Sequence, residues 1–133
     1  EVGKGSNTAF LDGSSGVFNK ANTTAWDQTS DRRIKKNIVD NTTGLDKINQ
    51  IKVRNFEYRT IDEITDFENA KTVVVKKEGI QVGAIAQELE EILPELVTTQ
   101  TTGVKTVSPD KLTWYMINAI KELNEKIKVL ESK

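Results

Sequence analysis

The residues that could do chemistry sit together in "TSDRRIKKNI", positions 29–38. Ser30 offers a hydroxyl and Lys35, five positions later, an amine. Asp31 and Asn37 add a carboxylate and an amide, and Arg32, Arg33 and Lys36 add cations. A hydroxyl is a poor nucleophile near neutral pH unless a base removes its proton. The chain contains no histidine and no cysteine. That excludes an imidazole base, a thiolate nucleophile and a zinc–thiolate site. A lysine is the natural substitute, and serine–lysine pairs are an established variant of the triad logic. Burial, and cations such as Arg32, Arg33 and Lys36 nearby, would favour a lysine's neutral, proton-accepting form.

The same residues have a plainer reading. Ser30 would be a helix N-cap, Asp31 an acid in the first turn, and Ile34 with Ile38 one apolar face. Residue types alone favour this reading, because any surface helix can hold Ser and Lys. Geometry adds a constraint. Five residues along an ideal helix turn through about 500°, which leaves Ser30 and Lys35 roughly 140° apart. On a strand they would face opposite sides. No regular element therefore brings Lys35 onto its own Ser30. Either Ser30 sits in a non-helical cap or loop, or the lysine comes from a neighbouring subunit.

The elements that must position these residues come from 133 residues, enough for one domain with a modest core. The net charge of -1 gives no reason to expect nucleic acid or an anionic membrane as partner. At 36% hydrophobic residues the chain is poor in core for a self-sufficient globule. Either some segments are extended and exposed, or part of the apolar surface is completed by another subunit. Its apolar runs are too short to span a membrane. The start, "EVGKGSNTAF", lacks the basic-then-apolar pattern of a signal peptide and reads as the continuation of something longer. Residues 1–29 are rich in Gly, Ser, Asn and Thr, and suit the end of an upstream β-rich region or an arm.

Downstream, the pattern is mixed. "TGLDKINQI", about 43–51, predicts a helix with Thr43 and Asp46 as a loose capping box. "KVRNFEYR" alternates like a half-buried strand with Phe56 and Tyr58 inward. Residues 60–71 predict a loop or short helix. "TVVVKKEGIQVGAI" predicts a hairpin of 72–75 against Ile80 and Val82, turning at Gly79. "AQELEEILPE" predicts a short amphipathic helix that buries Ile85, Leu89, Ile92 and Leu93 and stops at Pro94. "LVTTQTTGVKTV" predicts a second hairpin turning near Gly103.

The last helix is the clearest element. Ser108 is a good N-cap, Pro109 suits the first helical position and Asp110 the positive end. No Gly or Pro interrupts the chain from there to Leu130. Thr113, Met116, Ile120, Leu123, Ile127 and Leu130 are spaced as the a and d positions of a heptad repeat. Lys126 and Glu131 fall at g and e, where they can pair between helices. So narrow a seam suits a coiled coil better than the face of a lone globular helix.

Four blocks, in order, resemble one family. "SDRRIKKNI" resembles the signature that opens the C-terminal intramolecular chaperone domains of bacteriophage tailspikes, tail fibres and endosialidases. A related segment occurs in a eukaryotic membrane-bound myelin transcription regulator. "GLDKINQIKVRNFEYR", "VGAIAQELEEILPELV" and "KLTWYMINAIKELNEKIKVLE" resemble the family's later blocks. "VSPDKL" departs from the Val-x-Tyr approach that many members make to the last helix.

The resemblance implies an α+β fold: small strands and hairpins packed with short helices, then a long helix, about 109–131, in a trimeric coiled coil. Residues 1–29 would end an upstream β-rich fibre or spike, and 30–133 would be the chaperone domain. It would be a homotrimer that helps the upstream region of the same polypeptide fold, then cuts itself off as a single-turnover serine peptidase. Ser30 would be nucleophile and Lys35 base, with Asp31 and Asn37 shaping the site. The cut would flank Ser30, at Thr29–Ser30 or Ser30–Asp31. No cofactor, metal, nucleic acid or membrane is implied. The setting would be a virion tail precursor assembled in the host cytoplasm. Gln87 and Glu88 match a recurrent pair of unassigned role. The alternative is a permanent trimerisation or attachment module at a fibre tip.

Overall fold

The computed structural model describes residues 29–133, which fall into two units dividing at Val39. The β-rich tail expected over 1–29 lies, apart from Thr29, outside the described residues. Chain order from Asp40 is α1 (Leu45–Gln50), β1 (Arg54–Phe56), β2 (Gln81–Gly83), α2 (Ala86–Ile92), β3 (Val97–Thr99), β4 (Lys105–Val107) and α3 (Asp110–Glu131). Short 3-10 turns at Ile61–Glu63 and Ala70–Thr72 interrupt the link between β1 and β2. The described residues thus mix α and β, with two small antiparallel pairs and a long final helix.

The core is small. Leu89, Leu93, Leu96 and Tyr115 are buried together, with Ile48, Ile51, Val97, Val107 and Leu112 packed around them. Burying a leucine contributes about 1.5–3 kcal/mol, so three leucines dominate the apolar stabilisation here. Their supply follows from sequence. Leu89 and Leu93 are one helical turn apart, and Pro94 ends α2 and opens a 3-10 turn that carries Leu96 inward. Ile85 and Ile92 are half-buried, as an amphipathic α2 requires. The threonine-rich hairpin forms as expected, Val97 opposite Val107 and Thr99 opposite Lys105. Gly103 turns it at φ +89°, a left-handed value that glycine adopts freely.

The other hairpin differs from expectation. Val73–Val75 pairs with no strand. Instead Asn69 caps the 3-10 turn of Ala70–Thr72, and β2 pairs with β1, Asn55 opposite Val82. A β-branched run favours extended backbone without choosing a partner. Gly79 still turns the chain, at φ +87°. Phe56 and Tyr58 lie edge to face with ring centres 5.3 Å apart. Phe56 is half-buried, but Tyr58 is exposed rather than inward.

Two helix starts are also corrected. No Thr43–Asp46 capping box forms. Gly44 is the N-cap of α1, and the Leu45 N–H donates to Glu122 Oε2 of α3 at 3.1 Å. A distant carboxylate has replaced the local cap. Helix α3 begins at Asp110, with Pro109 as the N-cap residue. Ser108 does not cap it; its N–H donates to the Leu96 carbonyl at 2.8 Å, beside the start of β3.

Helix α3 has two unlike faces. Leu112, Tyr115, Asn118, Ala119 and Glu122 turn towards their own chain. The Tyr115 hydroxyl donates to Glu95 Oε1 at 3.0 Å. Burial, and then that carboxylate, push the phenol above its usual value. The heptad residues Met116, Ile120, Leu123, Ile127 and Leu130 are exposed, Ile120 by 65%. From Leu123 onward every residue is exposed. No helix among the described residues is long and apolar enough to cross a membrane.

Candidate functional site

The short unit ending at Val39 carries the candidate chemistry, and its local structure starts from Asp31. Asp31 is extended, and its Oδ1 accepts the Arg33 N–H at 2.8 Å. This is an N-cap contact, and it opens a 3-10 turn over Arg32–Ile34. Ile34 N–H donates to the Asp31 carbonyl at 3.2 Å and Lys35 N–H to the Arg32 carbonyl at 3.1 Å. The Arg33 guanidinium also grips the carboxylate, with Nη2 at 2.8 Å from Oδ2 and Nε at 3.1 Å from Oδ1. The Arg33 side chain, then its backbone N–H, hold the Asp31 carboxyl below the usual carboxylate range, and Asp31 raises Arg33 in return.

The cap is therefore Asp31, not Ser30. The turn ends at Ile34 and Lys35 is extended, so Ile34 and Ile38 form no helical face and both are exposed. Ser30, released from capping, lies in non-helical backbone one turn ahead of Lys35. The single turn folds the chain back, and Lys35 Nζ donates to Ser30 Oγ at 2.5 Å. The problem of the 140° separation is met by a turn too short to be a helix. Asn37 follows with φ +54°. Asparagine is among the few side-chain-bearing residues that tolerate this left-handed conformation.

A hydroxyl and an amine at this distance satisfy the reach required of a nucleophile and its base. As drawn, the amine donates. To act as a base it must be neutral and accept the hydroxyl proton. Among the described residues, Ser30 and Lys35 are exposed. Thr29, Ser30 and Asp31, which flank the candidate scissile bonds, are exposed as well. In the larger unit, a groove of about 910 Å³ opens between residues 57–63 and 74–79.

Of the recurrent pair, Glu88 has a structural role. Its Oε1 and Oε2 accept Arg54 Nη2 at 2.9 Å and Nε at 3.2 Å, tying α2 to β1. The Arg54 guanidinium holds the Glu88 carboxyl below its ordinary range. Gln87 is exposed. Sequence reasoning missed Asn118 and Glu122, which bind the chain at 41–45. The signal was there: two polar residues four apart, on the side of α3 away from the heptad seam.

Comparison with known proteins agrees with the four-block resemblance. The long tail fiber protein Gp37 of Enterobacteria phage M1 is 36% identical over 107 residues, covering 77% of this chain and 39% of that protein. The same protein of Enterobacteria phage Ox2 matches equally. An uncharacterized membrane protein of Dictyostelium discoideum is 38% identical over 69 residues, half of this chain but 4% of that protein. The chain thus spans about two fifths of the phage fibres it matches. Residues 30–98 match the family described as chaperone of endosialidase, beginning at Ser30 itself. With just over half of its residues so matched, the chain belongs to the chaperone-of-endosialidase family.

Proposed function

We propose that this domain is a homotrimeric intramolecular chaperone of a phage tail fibre or tailspike, and that it releases itself by one cut flanking Ser30. The contact between Lys35 Nζ and Ser30 Oγ carries the proposal. The chemistry runs as follows. Neutral Lys35 takes the Ser30 proton. Oγ attacks the Thr29 carbonyl carbon through a five-membered ring, and an ester forms. The Thr29–Ser30 peptide bond breaks and the nitrogen leaves as an amine, taking a proton. Water then hydrolyses the ester. Attack of Oγ on the carbonyl of Ser30 itself would need a four-membered ring, so a cut at Ser30–Asp31 requires water as nucleophile with Lys35 as its base. Asp31 sets the turn, and Asn37 redirects the chain behind it.

The exposed seam on α3 supports self-association, and the family resemblance implies three chains rather than the two that Ile at a and Leu at d favour in parallel coils. Bringing upstream strands together lowers the entropic cost of long-range β assembly. Assembly and cleavage would take place in the host cytoplasm, on a virion tail precursor. Ser30 and Lys35 would be dehydrated once neighbours cover them.

Exposure of both side chains in the single chain favours a second reading, a permanent module at a fibre tip. One experiment separates the two. The 133-residue chain is refolded from denaturant and followed by intact mass and N-terminal sequencing. The proposal expects a fragment beginning at Ser30, absent from Ser30→Ala, or one beginning at Asp31; either is absent from Lys35→Ala. An uncut assembled chain would leave the permanent module.

A further inference from the structure

Lys35 has two possible partners at the start of its turn, and it takes the weaker one. Ser30 and Asp31 are neighbours, and a lysine chain long enough for one is long enough for the other. The turn itself brings them close, since the Lys35 N–H donates to the Arg32 carbonyl at 3.1 Å. An ammonium prefers a carboxylate to a neutral hydroxyl, because opposite charges add Coulomb attraction to the hydrogen bond. Yet Lys35 Nζ donates to Ser30 Oγ at 2.5 Å, and Asp31 pairs with Arg33. The Arg33 guanidinium engages both carboxylate oxygens. Its Nη2 lies 2.8 Å from Oδ2, and its Nε lies 3.1 Å from Oδ1 and 3.2 Å from Oδ2. A planar fork of this kind fills the lone pairs that an ammonium would use.

Stability does not account for the grip. The Arg33 side chain is 88% exposed and that of Asp31 44%, and exposed ion pairs add little to folding. Nor does the turn require it, because the cap needs only Oδ1 on the Arg33 N–H. What the grip changes is the choice open to Lys35. An amine drawn onto Asp31 would be held in its charged form and turned away from Ser30, and so lost as a base. We infer that Arg33 is a positioning residue for the self-cleavage: by occupying the Asp31 carboxylate it leaves the Lys35 amine to Ser30. This rests on the reading of Ser30 and Lys35 as nucleophile and base. Arg33 acts through Asp31 rather than on the reacting atoms.

The test follows the 133-residue chain refolded from denaturant, with the cleavage time course by intact mass and the assembled mass by light scattering. Arg33→Ala releases the carboxylate, and is expected to slow cleavage about tenfold or more, as loss of placement does. Adding Asp31→Asn to it is the deciding step. Asparagine can still cap the turn through its side-chain oxygen, but it carries no charge to draw Lys35. The double variant is expected to cleave about threefold faster, or more, than Arg33→Ala alone. A merely structural role predicts the reverse, because a second loss from the turn would slow cleavage further. Arg32→Ala removes the same charge one residue away and leaves the grip on Asp31 in place. It is expected to slow cleavage far less than Arg33→Ala. Should Arg33→Ala fail to assemble, Arg33→Gln, uncharged but closer in size, takes its place in the same comparison. Cleavage at the wild-type rate in Arg33→Ala overturns the inference. So does a double variant no faster than Arg33→Ala, or equal slowing in Arg32→Ala. A wild-type chain that assembles uncut, or cleavage that persists in Lys35→Ala, overturns the proposed function instead, whatever the Arg33 variants do.

Discussion

At the scale of single residues, the contrast between Ser30 and Asp31 decides what the segment can do. Both are good N-cap types, and only one can cap a given turn. Asp31 wins because Arg33 holds its carboxylate from two sides, which leaves the Ser30 hydroxyl for Lys35. The residue types were legible from sequence, but residue types alone favoured a helix cap, and it was the family resemblance that paired Ser30 with Lys35. Which hydroxyl or carboxylate capped was not legible, because it depends on a side-chain ion pair two residues apart. Lys35→Arg is the most informative substitution here. Arginine keeps the charge and reach but cannot give up its proton, so intact mass is expected to show no cut. At Asn37, with φ +54°, glycine is expected to preserve cleavage. Valine is expected to slow it, because a β-branched residue resists that conformation by about 1–3 kcal/mol. Parallel cleavage time courses check both.

At the scale of elements, the parts set by local pattern were readable. Helix α2 with Pro94, the β3–β4 hairpin with Gly103, and the span of α3 all follow from periodicity and turn residues. What was not readable was partner choice. Val82 paired with β1 rather than with the valine run, and α1 took its cap from Glu122. Such choices are made between segments far apart in sequence, where periodicity carries no information. The core yields two predictions. Leu89→Ala removes a nearly fully buried side chain and is expected to lower unfolding free energy by about 2–5 kcal/mol in denaturant titration. Tyr115 has its phenol pushed up, so the folded chain binds that proton more tightly than the unfolded one. Its contribution is present below the ordinary tyrosine value of about 10 and is lost as pH rises through the higher folded value. Thermal midpoints are expected to fall more steeply above about pH 10 in wild type than in Tyr115→Phe.

At the scale of the whole molecule, the proposed function rests on how surfaces divide along α3. Its inner face completes a core of few leucines, and its outer face presents an apolar heptad stripe to solvent. The low hydrophobic content and the seam spacing announced that division in the sequence. The number of chains is not written there, since the residues at a and d favour two strands and the family resemblance implies three. Ile127→Asp places a charge in the seam, on a stretch of α3 that is exposed among the described residues. Assembled mass in analytical ultracentrifugation is expected to drop to that of one chain, with the circular dichroism of the core retained. If dehydration by neighbours activates Lys35, cleavage in that variant is expected to fall to background.

The stretch of α3 beyond Glu122 has a kinetic consequence. Its nine helical residues are exposed among the described residues, and most helical stability in proteins comes from a packed amphipathic face. In a dilute, solitary chain those turns should fray, and they should rewind only when other chains arrive. Their ordering is then a collision-dependent event, with a reaction order above one. A chain synthesised alone would wait, and chains emerging side by side on one message would zip at once. The helix tail would in effect count its neighbours before the proposed cut is made.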